Sequence, residues 1–358
     1  MKILIDIGHP AHVHYFKNFI RIMKQKGHEF LIVSRDKEIT FQLLDAYDIP
    51  YESRGKGSVS LFGKLLYLLK GDVILIKKAI RFKPDIFLSF GSSYAAHASF
   101  FLNKPHIAFD DTEHAKLEHA LYMPFTDVVL TPIDFKKEFG KKQIKFDSTM
   151  DIAYLHPKYF CANDNVLKAI SREYEDKLFL VRFVSWSASH DTGFGGFTLE
   201  GKRKLIQLLS KKGKVLISSE SELPDEFKEY QIRISPDNIH DLMYYCDLFV
   251  GESGSMATEA AILGTPSIVV NSSVKLFGVF NRIEKYKSLF IFDEEKEAFK
   301  KLHELLETNF KGESKEIAKS IINDSIDTTE FMVWFIENYP FSFDKMKNNS
   351  NYYKINKY

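Results

Sequence analysis

The chain has 358 residues, of which 45% are hydrophobic and 27% charged, and its formal net charge at pH 7 is +1. Because a folded domain usually spans about 100–200 residues, this length predicts two domains. The composition is typical of a globular protein and argues against the disordered and fibrous classes. The nearly balanced charge argues against a nucleic-acid partner.

The N-terminus, MKILIDIGHP, leads directly into a strand pattern and lacks the features of a secretory signal peptide. Uninterrupted apolar stretches stay shorter than the ~18 residues that a membrane-spanning helix needs. The two cysteines, Cys161 and Cys246, show neither metal-ligand spacing nor a disulfide framework. We therefore expect a cytoplasmic protein with inert thiols.

Short apolar runs alternate with amphipathic segments in the first part of the chain, which is typical of βαβ units. The predicted strands are residues 2–7, 28–34, 84–90, 106–111 and 127–132. A helix with Val13, Phe16 and Ile20 on one face follows the first strand and ends at Gly27. Right-handed crossovers make residues 1–155 a doubly wound, Rossmann-like domain.

The pattern lapses between residues 151 and 165, where we place the domain boundary. A second series of predicted strands comprises residues 177–184, 214–219, 231–235, 247–251 and 266–271. This series indicates a second Rossmann-like domain over residues 160–326. Residues 327–340 form an amphipathic pattern that predicts a last helix. Residues 344–358, rich in Lys, Asn and Tyr, predict a disordered tail.

The segment GESGSMATEAAILGTP (251–266) follows a predicted strand and opens a helix. Ser253, Gly254 and Ser255 lie at the helix N-terminus, where free N–H groups and the helix dipole favour a diphosphate. Glu259 follows about one turn into the helix, where its carboxylate can accept hydrogen bonds from two ribose hydroxyls. An ordinary strand–turn–helix junction with a capping serine explains the segment about equally well.

The same segment, SGSMATEAAILGTP, resembles the donor-binding motif of GT-B proteins. That motif occurs in UDP-N-acetylglucosamine 2-epimerases and, in a similar form, in the N-acetylglucosaminyltransferase of peptidoglycan synthesis. In the epimerases a glutamate follows the serine of a Ser-Gly pair by six positions, as Glu259 follows Ser253. The segments DIGHPAHVHYFKNFI and RFVSWSASHD also resemble a family grouped with those epimerases.

The resemblance implies the GT-B architecture, an α/β fold with two Rossmann-like doubly wound domains, an inter-domain cleft and a C-terminal helix that crosses back to the first domain. It also implies that Ser253, Gly254 and Ser255 hold the pyrophosphate of a nucleotide-sugar and that Glu259 holds its ribose. We expect Met256 to belong to the same nucleotide-sugar site.

Three histidines, His9, His12 and His14, follow the first strand. His12 and His14 point roughly 200° apart around a helix axis, which disfavours a shared metal ion. Aligned on the following valine, His12 matches the histidine of a Gly-Gly-His-Val segment in the peptidoglycan transferase. The match implies a general base for an acceptor hydroxyl, with His9 as runner-up. Capping and surface roles are the alternative, and Pro10-Ala11 replaces the two glycines.

The segment FDDTEH (109–114) ends another strand with Asp110, Asp111 and Glu113. Carboxylates so close together shift one another's pKa values and suit acid–base chemistry. They would equally cap the next helix. The epimerases carry an acid in a Gly-Asp-Thr segment that corresponds here to residues 91–93, Gly-Ser-Ser, so this chain departs from the epimerase pattern.

The segment RFVSWSASHDTGFGG (182–196) is a polar, glycine-rich loop after a strand of the second domain. We expect Arg182 and His190 to face the diphosphate and Ser185 and Ser187 to donate hydrogen bonds to it. The chain contains no Asp-X-Asp sequence, so we expect chemistry without a metal.

Residues 61–83 carry six basic residues and one acidic residue among many aliphatic ones. A basic amphipathic helix of this kind can lie on an anionic membrane. A crossover helix with a solvated lysine face explains the pattern equally well. The sequence thus leaves peripheral membrane contact open.

These features together predict an inverting, metal-independent glycosyltransferase without a cofactor. We expect its donor to be a nucleotide diphosphate-sugar, a UDP-HexNAc, and its acceptor to be a surface polysaccharide or glycolipid bound by the first domain. A UDP-N-acetylglucosamine 2-epimerase-like enzyme, with Asp110, Asp111, Glu113 and His190 handling protons, is the second interpretation. A non-catalytic nucleotide-sugar sensor is the third.

Overall fold

The structure, a computed structural model, describes residues 1–57, 61–170, 177–184, 195–219 and 222–357. Its contacts divide the chain into two compact units. Unit 1 comprises Met1–Tyr154 and Ser325–Tyr358, and unit 2 comprises Leu155–Asp324. The chain therefore leaves unit 1 once and returns to it near its C-terminus.

Unit 1 is built on one parallel sheet. Its strands are β1 (Lys2–Ile7), β2 (Glu29–Asp36), β3 (Glu52–Lys56), β4 (Ile86–Phe90), β5 (His106–Phe109), β6 (Val128–Pro132) and β7 (Gln143–Phe146). They are hydrogen-bonded in the order β3-β2-β1-β4-β5-β6-β7. The order reverses between β1 and β4, and ligands of open α/β sheets bind outside the carboxyl ends of strands at such a point.

The helices of unit 1 cover the apolar sheet. Up to the first unit boundary they are α1 (Pro10–Gln25), α2 (Thr40–Ala46), α3 (Leu61–Phe82), α4 (Ser93–Phe101), α5 (Lys116–Tyr122) and α6 (Ile152–Leu155). Short 3-10 turns cover Met123–Phe125 and Gly140–Lys142. Helix α1 buries the predicted apolar face, including Val13 and Phe16, and Gly27 with a φ of +85° follows its end.

All five strands predicted in the first part of the chain are present in unit 1, but two further strands were missed. Strands β3 and β7 lie at the two edges of the sheet. Strand β3 reads ESRGK and is largely exposed, so it carries no apolar run that would mark it as a strand.

Unit 2 contains a second parallel sheet. Its strands are β8 (Lys177–Phe183), β9 (Gly213–Ser219), β10 (Leu248–Gly251), β11 (Ser267–Val270) and β12 (Leu289–Phe292), in the order β12-β11-β10-β8-β9. Its helices are α7 (Asn165–Ala169), α8 (Leu199–Ser210), α9 (Ile239–Tyr245), α10 (Gly254–Ile262), α11 (Gly278–Glu284), α12 (Glu295–Glu307) and α13 (Phe310–Asn323). Short 3-10 turns cover Asp225–Tyr230, Pro236–Asn238 and Val274–Leu276.

The predicted strand at residues 231–235 is wrong. Gln231 forms only an isolated bridge with Ile217 on the edge strand β9. Residues 231–235 are partly exposed and are followed by Pro236, which has no N–H to donate. The segment therefore does not continue its pairing with β9 beyond this bridge. Strand β12, which the sequence analysis did not identify, completes the other edge of the sheet.

Three helices complete unit 1 after the chain returns: α14 (Thr328–Glu337), α15 (Phe341–Asn348) and α16 (Tyr352–Lys357). The disordered tail predicted for residues 344–358 is therefore wrong over its described part. Tyr353 packs on Phe331 and Trp334 with ring-centroid distances of 5.2 and 5.0 Å. Lys354 reaches Asp147 at 3.2 Å. These aromatic anchors order a segment whose composition alone suggested disorder.

Candidate functional site

The helix α10 in unit 2 begins where strand β10 ends, as the motif predicted. Ser253 is its N-cap residue, and the Ser253 hydroxyl accepts a hydrogen bond from the Met256 N–H at 3.4 Å. Ser255 is exposed on the first turn. The positive end of the helix dipole lies at this turn, which can take an anionic group.

Gly254 has a packing reason of its own. A Cβ at this position would lie 2.9 Å from a ring carbon of Phe280 and 3.0 Å from a methyl carbon of Val274. The glycine is thus needed by the contact between α10 and the segment that includes α11. Gly264, with a φ of +82°, follows the end of α10 as the motif predicted.

Glu259 is the sixth residue of α10, about one and a half turns from its start. Its side chain is largely buried, and its Oε1 lies 3.2 Å from the Nε2 of His240 on α9. His240 is itself buried. The pair holds the carboxylate in a fixed place beside the first turns of α10. Sequence reasoning missed His240, because no motif marks it.

Glu252 is a second buried carboxylate that sequence reasoning missed. It directly precedes Ser253 and is fully buried. Its carboxylate accepts hydrogen bonds from the N–H groups of Val184 and Phe197 at 2.9 and 3.0 Å, and Lys202 lies 3.1 Å away. Glu252 therefore ties the end of β8 and the residues before α8 to the start of α10.

The polar loop after β8 is described only at its ends. Arg182 lies at the end of β8, and its guanidinium donates a hydrogen bond to the Ser218 hydroxyl at 2.6 Å. Ser185, Ser187 and His190 lie outside the described residues.

In unit 1, His9 and His12 lie at the carboxyl end of β1, where the sequence analysis expected them. The ring Nδ1 of His9 accepts a hydrogen bond from the Ala11 N–H at 3.2 Å and caps α1. Desolvation, and then the positive charges of Lys37 and Arg35, lower the pKa of His9 to about 3. His9 as a whole residue is nevertheless classed as exposed.

The surroundings of His12 favour the neutral form of its ring. Burial, followed by repulsion from His9, Lys37 and Arg54, holds its pKa well below the usual value. The ring Nδ1 accepts a hydrogen bond from the Gly8 N–H at 3.3 Å, which leaves the proton on Nε2. In this tautomer the free ring nitrogen of His12 can donate a hydrogen bond, and its predicted role as a base stays a prediction.

His14 lies apart from the other two histidines. It stacks on Tyr154 with the ring centroids 5.3 Å apart, and its Nδ1 lies 3.3 Å from the Tyr47 hydroxyl. Within the described part of the chain, no three His, Cys, Asp or Glu side chains converge as metal ligands.

Asp110 follows β5 and is surrounded by hydrogen-bond donors. Its Oδ2 accepts from His119 Nε2 at 3.0 Å and from the Tyr122 hydroxyl at 2.5 Å, and its Oδ1 accepts from the Thr112 N–H at 2.8 Å. The Lys137 ammonium lies 2.6 Å from His119 Nδ1. Since lysine only donates, His119 carries its proton on Nε2 and donates it to Asp110.

The neighbouring Asp111 differs from Asp110. Burial, and then the negative charges of Asp110 and Asp151, hold the pKa of Asp111 well above its usual value. A hydrogen bond from the Thr112 hydroxyl at 3.2 Å opposes this shift only in part. A carboxyl group with a raised pKa beside a fixed negative charge is the arrangement that enzymes use for proton transfer.

Glu113 has a different place. Its Oε1 accepts a hydrogen bond from the Lys136 N–H at 3.2 Å, so it supports the loop after β6. The structure thus separates the three predicted acids: one surrounded by donors, one with a raised pKa, and one bound to a loop. His119, Tyr122 and Lys137, which organise this cluster, carried no sequence signal.

Each unit carries a parallel, Rossmann-like sheet, and solved structures of the GT-B fold match the chain, so the predicted fold class is confirmed. The chain belongs to the family described as "Protein of unknown function (DUF354)", whose model matches residues 1–336. An uncharacterized protein of Methanocaldococcus jannaschii is 26% identical over 281 residues, which cover 75% of this chain and 81% of the relative.

Two solved structures illustrate the fold. The UDP-GlcNAc 2-epimerase of Neisseria meningitidis bound to UDP-GlcNAc matches with a TM-score of 0.67 and 13% identity, covering 94% of this chain and 100% of the other. The spinosyn rhamnosyltransferase SpnG, complexed with spinosyn aglycone, matches with a TM-score of 0.58 and 12% identity, covering 94% and 100%. Epimerases and glycosyltransferases thus share this fold.

Proposed function

We propose that this chain is an enzyme that binds a nucleotide diphosphate-sugar, a UDP-HexNAc, on unit 2 and transfers its sugar to a polysaccharide or glycolipid acceptor. The observation that carries this proposal is the start of α10, where Ser253 caps the helix and Glu259 lies buried beside its first turns. The diphosphate would bind the N-terminal turn, and the ribose hydroxyls would bind the carboxylate.

The contact between Glu259 and His240 supports the ribose assignment. A carboxylate that must accept two hydroxyl protons needs a fixed orientation, and the 3.2 Å contact to His240 on α9 supplies it. Glu252 would hold the preceding turn in place through its bonds to Val184 and Phe197. Neither contact needs the nucleotide, so the site is organised in advance.

In the transfer, Asp111 would act as the general base. It would take the proton from the acceptor hydroxyl, while the acceptor oxygen attacks the anomeric carbon and the bond to the diphosphate breaks. The raised pKa of Asp111 brings its basicity closer to neutral pH and makes it a stronger base once ionised. His12, with its proton on Nε2, would donate a hydrogen bond to an anionic group instead.

A nucleotide-sugar 2-epimerase is the second candidate, and the Asp110–Asp111 pair favours it. An epimerase must remove a proton and return one, which requires groups with different proton affinities. One carboxylate surrounded by donors beside one with a raised pKa meets that need. Asp111 is central to both reactions, so the presence or absence of an acceptor distinguishes them.

The test incubates the full chain with UDP-, GDP- and CMP-sugars, with and without a cell lipid extract. Transfer predicts release of UDP only when the extract is present, whereas epimerisation predicts a second UDP-sugar without it. Asp111→Asn, which retains the shape of the side chain, serves as the control for adventitious hydrolysis. Binding of UDP-sugars without either product would indicate a sensor and contradict both proposals.

A further inference from the structure

The solvent-facing side of α3 in unit 1 is unusually apolar. Leu66, Leu69, Val73 and Ile80 are each between 50% and 58% exposed. At 100° per residue these four positions fall within an arc of about 60° on the helix surface. They lie along one face of the helix, and we call them the α3 stripe.

The exposed apolar side chains are concentrated on α3 and on the helix next to it. The neighbouring helix α4, which packs beside α3 through a 2.9 Å contact between His97 and Asp72, ends in Phe100 and Phe101. These two side chains are 68% and 67% exposed. Among the described residues, no other strand or helix carries more than one exposed large hydrophobic side chain. Clusters of this kind mark interaction surfaces.

Cations line the α3 stripe. Lys70 and Lys77 are exposed and lie directly beside it on the helix surface. Among the described residues, neither forms an ion pair. The one acidic residue of α3, Asp72, is paired with His97. The exposed face is therefore apolar on one side and positively charged on the other.

The opposite face of α3 is committed to the core of unit 1. Leu75 and Ala79 are fully buried and pack in a cluster with Phe87 of β4. No helix in the described part of the chain is long and apolar enough to cross a membrane. A helix that is half in the core can lie along a lipid surface but cannot leave the fold to span it.

We propose that the α3 stripe, with Phe100 and Phe101, docks unit 1 on an anionic lipid bilayer. The apolar side chains would enter the boundary between head groups and acyl chains, while Lys70 and Lys77 would face the anionic head groups. The pattern of charge and apolar side chains favours this partner over another protein, because both parts match a bilayer surface. The docking is independent of the proposed reaction.

The test measures co-sedimentation of the full chain with vesicles of phosphatidylcholine and 30% phosphatidylglycerol (roughly the anionic content that gives a strong surface potential). We expect binding to these vesicles, little binding to pure phosphatidylcholine, and weakening with salt. Lys70→Gln combined with Lys77→Gln should weaken binding about 30-fold. Leu69→Gln combined with Val73→Gln should weaken it by more than about 10-fold.

Matched controls come from unit 2. Leu199→Gln and Lys296→Gln replace an exposed apolar residue and an exposed cation on α8 and α12, and both should bind as the wild type does. Equal sedimentation of wild type and α3 variants, or none with anionic vesicles, would overturn the proposal. A second result would also overturn it: light scattering shows that the wild type is a dimer which does not bind vesicles, and Leu69→Gln combined with Val73→Gln makes it a monomer. No nucleotide-sugar is present, so the result is separate from the proposed catalysis.

Discussion

The carboxyl ends of the two sheets carry buried carboxylates in different settings. In unit 2, Glu252 accepts hydrogen bonds from two backbone N–H groups and lies beside Lys202, and Glu259 contacts His240. In unit 1, Asp110 is likewise surrounded by donors, but Asp111 beside it has a raised pKa. A carboxylate fixed by donors suits binding, and one whose proton affinity is raised by its neighbours suits chemistry. Under the proposed function, unit 2 would bind the nucleotide-sugar and unit 1 would transfer the proton.

The largest expected effect is on turnover. Asp111→Asn should lower kcat by about 10²–10⁴-fold, the usual share of a general acid or base, with UDP affinity nearly unchanged. Steady-state kinetics together with isothermal titration of UDP would separate the two quantities. His12→Gln should cost less, because an amide can still donate the hydrogen bond that we propose for the ring Nε2. A larger loss for His12→Gln than for Asp111→Asn would return the role of base to the histidine.

The second effect is on nucleotide affinity. Glu259→Ala should weaken UDP binding by about 10- to 150-fold, since hydrogen bonds to a charged group contribute about 1.5–3 kcal/mol. Titration of UDP and of 2′-deoxy-UDP against the wild type and Glu259→Ala gives the four dissociation constants of a thermodynamic cycle. If Glu259 holds the ribose, removal of the 2′-hydroxyl costs the wild type much and the variant little. Strictly additive losses would place the ribose elsewhere.

The third prediction concerns His240, which contacts the carboxylate of Glu259. His240→Leu should weaken UDP binding by about 2- to 10-fold, the share of one hydrogen bond that orients the carboxylate. His240→Gln should recover part of the loss, because the amide can donate to Glu259 Oε1. In a Glu259→Ala background the substitution should have no further effect on UDP. An undiminished loss in that background would mean that His240 acts on the nucleotide by another route.

The sequence predicted features that local pattern determines. The continuously apolar strands β1, β4 and β10 and the cap of α10 at Ser253 each follow from a few adjacent residues. The edge strand β3 and the helices after residue 340 escaped prediction. Their stability comes from a neighbouring strand or from aromatic contacts, such as that between Tyr353 and Trp334, that are distant in sequence.

The candidate site shows the same limit. The sequence placed acids at residues 110–113, but it did not distinguish them. The donors of Asp110 include His119, nine residues later, which is contacted by Lys137, eighteen residues after His119. The raised pKa of Asp111 depends on burial and on the charges of Asp110 and Asp151. The parallel pairing of β5 and β6 brings the segment with Lys137 beside the segment with Asp110 and His119. The role of a residue whose hydrogen-bond partners lie on other elements of the sheet therefore cannot be predicted from the sequence and has to be taken from the structure.

The smallest expected effect, on stability, tests the physical basis of the comparison. The folded state raises the pKa of Asp111, mainly by burial, so it binds the proton more tightly than the unfolded chain does. Below the unfolded value, near 4 for aspartate, the carboxyl is protonated in both states and costs nothing. As the pH rises towards the folded pKa, the carboxyl ionises in the unfolded chain but stays protonated in the folded state. The free energy of unfolding therefore falls by about 1.4 kcal/mol per pH unit.

Asp111→Asn removes that penalty, because the amide resembles the protonated acid. The thermal midpoint of the variant should therefore exceed that of the wild type at pH 8, and the difference should shrink as the pH is lowered to 5. Scanning calorimetry across this range measures it, with the unfolding of unit 1 followed separately if the two units melt apart. Glu118→Gln, which replaces an exposed carboxylate of the same unit, should leave the difference near zero at each pH. A variant less stable than wild type at pH 8 would mean that the folded state favours the ionised carboxylate, so the pKa of Asp111 would not be raised and the argument for its role as the base would fail.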